Sequence, residues 1–169
     1  MTPPESSRRV LSAILMNPPV GRGAASLRHL DVARRLLRCD ELQIGNLFSR
    51  STASVTDITE AGQDLNDWTA AREPISHAIG LGDEIVLAWG LGGFNGIARQ
   101  HFRTQVEWVV DDLARRGVDH VWTVGDRPRH PSRWHQFVSD RHGRTGGGTF
   151  EDRLRQVLHR VPVSDFVLN

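Results

Sequence analysis

Glu84–Trp89 reads EIVLAW and runs directly into Gly90. The run is short and mostly apolar, it contains the β-branched Ile85 and Val86, and it stops at a glycine. That combination predicts a buried strand rather than a helix. A strand apolar along nearly its whole length belongs to a parallel sheet covered on both faces. Downstream, Phe102, Val106, Val109, Val110 and Leu113 fall on one face of a helix predicted over Ile97–Arg116, with Gly117 as its cap. A further strand is predicted over His120–Val124.

Upstream the alternation repeats. Leu11–Met16 (LSAILM) predicts a strand ended by Asn17-Pro18-Pro19. Leu27, Leu30, Ala33, Leu36 and Leu37 place a helix over Ala25–Arg38, and Glu41–Phe48 (ELQIGNLF) predicts the next strand. Ser49–Asp64 reads as a long polar loop. Asp67–Gly80 reads as a helix that Pro74 either interrupts or restarts. Arg127–Gly148 is basic and irregular, and Phe150–Arg160 predicts a last helix behind the cap Thr149. The expected fold is α/β: a three-layer α/β/α domain around a four-stranded parallel sheet, spanning 11–169 after a loose lead-in at 1–10.

Composition narrows the chemistry. The chain has 169 residues, 38% hydrophobic and 24% charged, enough for a packed core. A net charge of +1 argues against a broad nucleic-acid-coating surface. All 21 basic residues are arginine, so lysine Schiff-base chemistry and a Walker-type phosphate loop are excluded. The single cysteine, Cys39, reads as a buried free thiol, and no apolar stretch reaches membrane-spanning length. Absence of a signal-peptide pattern makes cytoplasmic residence the default expectation. His120, His130, His135 and His142 lack zinc-ligand spacing, so no metal and no cofactor is expected. Oligomeric state stays open.

In a parallel sheet the ligand site lies at the carboxyl ends of the strands. Those ends here supply Asn17, Asn46, Trp89-Gly90 and the loop that carries Arg127, Arg129 and His130. Any one of these is compatible with ordinary turn or loop chemistry. Together they form a set: amides read base edges, an imidazole donates to a developing oxyanion, and arginines hold phosphate as a rigid fork. Residues 127–144 contain five arginines and three histidines against Asp140 alone, a density that favours an anion. Trp134 in this loop either stacks on a base or packs inward. The set suits a nucleobase-containing small molecule or nucleic acid, with no membrane partner.

The strings ILMNPP, NLFSR, LAWG and DRPRHPSRW resemble the domain of unknown function 1643 family of bacterial and phage proteins. More distantly they are similar to the uracil-DNA glycosylase superfamily, whose fold is a parallel sheet with helices on both faces. Asn17-Pro18 matches that superfamily's water-positioning motif, Asn46 its base-reading asparagine and Trp89-Gly90 its third motif. His130-Pro131-Ser132 matches its His-Pro-Ser motif. Pro19 stands where some members carry tyrosine, and Arg133-Trp134 follow where a leucine wedge stands. The resemblance implies N-glycosidic hydrolysis, with Asn17 and His130 as catalytic residues. Substrate contacts are then expected from Asn46, Phe48, Arg50, Trp89, Gly90, Arg127, Arg129, Pro131, Ser132 and Trp134. A binding module without turnover, or different chemistry on a small metabolite, is the alternative.

Overall fold

A computed structural model of the chain describes residues 7–19, 21 and 23–167. The first six residues of the expected lead-in therefore lie outside the described residues. Beyond them the chain is tied down: Arg9 pairs with Glu84 at 2.8 Å, and its backbone N–H donates to Asp40.

Five strands form one sheet: β1 (Val10–Leu15), β2 (Glu41–Asn46), β3 (Glu84–Leu87), β4 (His120–Val124) and β5 (Leu158–Pro162), in the order β2-β1-β3-β4-β5. The first four are parallel, with Leu15 opposite Asn46, Leu11 opposite Glu84 and Val86 opposite Trp122. The fifth runs antiparallel to β4, with His120 opposite Pro162 and Thr123 opposite His159. The four-stranded, all-parallel expectation is thus corrected. The last helix, α7 (Phe150–Val157), stops short of Arg160, and the chain passes directly into β5 on the free edge of β4. Edge pairing satisfies backbone groups that β4 would otherwise leave open, which outweighs helix continuation there. The start of α7 follows the expected signal: Thr149 and Asp152 form a reciprocal capping box.

Helices cover both faces. Alternation along β1 sends Ile14 toward α4 (Arg72–Leu81) and α5 (Gly96–Arg115), and Leu11, Ala13 and Leu15 toward α1 (Ala24–Leu36) and α7. Ser12, fully buried on the first of these faces, donates from Oγ to Ala78 O at 2.6 Å. A Schellman cap ends α5: Gly117 has φ +72°, its N–H reaches Ala114 O, and Val118 N–H reaches Leu113 O.

The expected long loop at 49–64 contains a helix, α2 (Val55–Ala61), started where Ser54 Oγ accepts the Asp57 N–H. The helix expected over 67–80 is two: α3 (Asn66–Ala70) and α4, with Pro74 in the first turn of α4, where a missing N–H costs nothing. The basic stretch 127–148 holds a 3-10 turn at Pro131–Arg133, the short helix α6 (Trp134–Phe137) and a 3-10 turn at Asp140–His142. Cys39 is a buried free thiol, and burial raises its pKa. No helix among the described residues is long and apolar enough to cross a membrane.

Candidate functional site

The strand order reverses between β1 and β3, because β2 lies on one side of β1 and β3 and β4 lie on the other. Loops leaving the carboxyl ends of β1 and β3 therefore diverge to opposite sides and leave a crevice. A cleft of about 890 Å³ opens there. Four expected residues from four strand ends line it: Asn17, Asn46, Gly90 and His130. Trp89, Arg129 and Ser132 also contribute.

Backbone bonds carry the sheet pairing past the strands and set these tips. Leu47 N–H reaches Leu15 O, Phe48 N–H reaches Met16 O, and Ala88 N–H reaches Ile14 O. Gly90 then turns with φ +95° and donates its N–H to Pro128 O at 2.6 Å, which fastens the β3 tip to the loop after β4. From the other direction, His29 Nδ1 on α1 donates to Pro131 O at 2.6 Å. The His130 loop is held from two sides.

His130 is held by its own loop. Its Nδ1 accepts the Ser132 backbone N–H at 3.2 Å and lies 2.8 Å from Ser132 Oγ. A ring nitrogen that accepts a backbone N–H carries no proton, so the neutral ring keeps its hydrogen on Nε2. Burial, and secondarily the Arg133 charge, hold its pKa below the ordinary 6.5. Near neutral pH this is an uncharged imidazole with one N–H left to donate.

The two amides differ. Asn17 Nδ2 donates to Thr52 Oγ1 at 2.8 Å and to Arg50 O at 3.3 Å, which fixes the amide plane. Asn46 Oδ1 is buried with no hydrogen-bond partner. An unpartnered buried carbonyl costs roughly 1–3 kcal/mol. A ligand N–H is the group that fits it.

Other expected residues sit elsewhere. Phe48 is fully buried with its ring 4.8 Å from Trp68, and Trp134 is fully buried with Nε1–H donating to Arg129 O at 2.7 Å. Neither lines the cleft. Arg50 pairs with Asp67 at 2.8 Å, Arg127 is exposed outside the cleft, and Pro131 is buried and does not line it. The structure adds residues that strand-end reasoning did not single out: Thr52, Phe94, Arg133, Phe137, His142 and Arg144. For Arg133, His142 and Arg144 the signal lay in the local density of basic residues, which does not say which ones turn inward; Thr52, Phe94 and Phe137 carried none. Of the described residues lining the cleft, none is an aspartate or glutamate. No group of three or more His, Cys, Asp or Glu among the described residues is placed to hold a metal ion.

Residues 5–132 match the family described as a protein of unknown function (DUF1643). The chain belongs to this domain of unknown function 1643 family. The span matched by the family takes in all four strand tips and ends at Ser132, so the cleft wall built by residues 133–144 lies beyond it. No curated protein and no solved structure matches the chain.

Proposed function

We propose that the cleft binds a nucleobase-containing small molecule and cleaves its N-glycosidic bond, in the manner of the uracil-DNA glycosylases that the sequence resembles. One observation carries the reading: His130 is a half-buried neutral imidazole whose only remaining donor is Nε2–H. As the bond to the sugar breaks, negative charge collects on the departing base, and a fixed neutral N–H stabilises that charge without first giving up a proton. Asn46 reads the edge of the base through its unpartnered carbonyl. The oriented Asn17 amide places water at the sugar carbon.

The test is release of free base from a panel of nucleosides, nucleotides and uracil-containing DNA, followed by chromatography. Wild type is expected to turn over at least one, and His130→Ala to slow it by about 10²–10³-fold. Equal rates on the best substrate refute the assignment.

A second reading has its own support. With no carboxylate among the described residues lining the cleft, the sugar cation that develops during cleavage meets no counter-charge from them. This favours a module that binds nucleotides without turning them over. Saturable binding with no product over long incubation decides for that reading.

A further inference from the structure

Phe137 lies at one wall of the cleft with two guanidinium groups on its ring. Arg129 Cζ is 4.1 Å from the ring centroid and Arg144 Cζ is 4.3 Å from it. Each cation is also held at its head: Arg129 Nη1 donates to Val124 O at 2.9 Å, and Arg144 Nη1 donates to Phe137 O at 3.1 Å. The arrangement has been given room, since a Cβ on Gly125 would come within 2.6 Å of Arg129 Nη1 and 2.9 Å of Phe137 Cζ. Arg133 and His142 also line the cleft.

Compensating charge is scarce. Arg133 and Arg144 make no ion pair among the described residues, and Arg129 has only a long 3.5 Å approach to the exposed Asp126. Asp140, the sole acid of residues 127–144, turns to Arg153 at 3.5 Å. Holding like charges together beside a cleft whose described lining has no acid is unfavourable until an anion joins them. Guanidinium groups held in advance lose little freedom when that anion arrives.

We infer that Arg129, Arg133, Arg144 and His142 form a subsite for the phosphate monoester of a free nucleotide. This rests on the proposal that a nucleobase occupies the cleft, and it names the substrate class. Asn46 ends β2, whereas the arginine wall follows β4, three strand spacings away. At about 4.8 Å per spacing that is roughly 14 Å, the length scale of a nucleotide from base to phosphate. The cleft volume is that of a small-molecule site, and a net charge of +1 supplies no track for a polymer backbone.

The experiment is calorimetric titration of the full chain with inorganic phosphate, the common ribonucleoside 5′-monophosphates and their parent nucleosides. It is repeated on Arg144→Gln and Arg133→Gln, each checked for a cooperative melt. At least one monophosphate is expected to bind wild type about tenfold or more tighter than its nucleoside. Each substitution should remove most of that increment and leave nucleoside affinity within about twofold. Equal affinity for nucleotide and nucleoside in wild type, an increment that survives both substitutions, or no binding at all overturns the inference. An oligonucleotide that outcompetes every monophosphate, with affinity falling steeply as salt rises, overturns the small-ligand assignment. Arginine-dependent binding of inorganic phosphate with no nucleoside or nucleotide bound keeps the anion subsite and rejects the nucleobase reading. Nucleotide binding without base release keeps this inference and rejects only the hydrolysis.

Discussion

Replacing Gln105 by leucine should destabilise the protein by several times the cost of an ordinary surface change. Gln105 is fully buried on α5, and its side-chain amide is saturated. Nε2 donates to Leu47 O at 3.0 Å and to Trp68 O at 2.7 Å, while Oε1 accepts from Arg72 Nε at 3.1 Å. Leucine fills similar space but strands the Leu47 carbonyl, at roughly 1–3 kcal/mol, and removes two further bonds at roughly 0.5–1.5 kcal/mol each. Added apolar contact offsets part of this, leaving a loss of about 3 kcal/mol. At roughly 2–4 °C per kcal/mol for a chain of this size, the melting temperature should fall by about 6–12 °C. Scanning calorimetry measures it. Arg72→Ala breaks the part-buried bond to Gln105 and removes the guanidinium 5.3 Å from the Trp108 ring, and should cost about 1 kcal/mol. If Gln105→Leu melts within about 2 °C of wild type, or no lower than Arg72→Ala, the amide is not the tie between α5 and the end of β2 described here.

Two other outcomes are expected. His130 has a folded pKa below its unfolded value of 6.5, so as pH falls the unfolded chain takes up the proton first. Folding stability should therefore decline from about pH 6.5 down through the folded pKa and level off below it. His130→Gln should remove that increment of slope in denaturant titrations, and an unchanged slope refutes it. Gly90→Ala meets only His130 Cβ at an ordinary 3.6 Å, but the φ of +95° remains strained with a side chain, so a loss of about 1–2 kcal/mol is expected in urea unfolding.

Much of the strand-helix order was legible because its signals are local and redundant. EIVLAW, LSAILM and HVWTV are each apolar, short and punctuated, and His120–Val124 was bounded as observed. What escaped was decided by distant partners. LHRVP follows a well-capped helix and reads as its continuation, yet the open edge of β4 takes it as a strand. The Ser54–Asp57 spacing was a helix start hidden in a polar stretch. At the cleft, Asn17, Asn46, Gly90 and His130 converge because any parallel sheet brings its carboxyl ends together. Trp134 gave no such guidance: its neighbours are basic, but one carbonyl, Arg129 O, satisfies its N–H and allows full burial. Which arginines of the loop face inward depends on turns around Pro131 and Asp140 that carry no periodic signal.

The stranded carbonyl of Asn46 sets thermal robustness and recognition against each other at one position. Asn46→Val keeps a strand-forming residue at the end of β2 and relieves the orphan acceptor, so the ligand-free protein should melt higher, by about 2–8 °C for roughly 1–2 kcal/mol. Nucleobase affinity should vanish in the same variant, and a variant that melts no higher refutes the reasoning. A campaign selecting only for heat resistance would be drawn to this substitution and would erase the feature that tells one heterocycle from another.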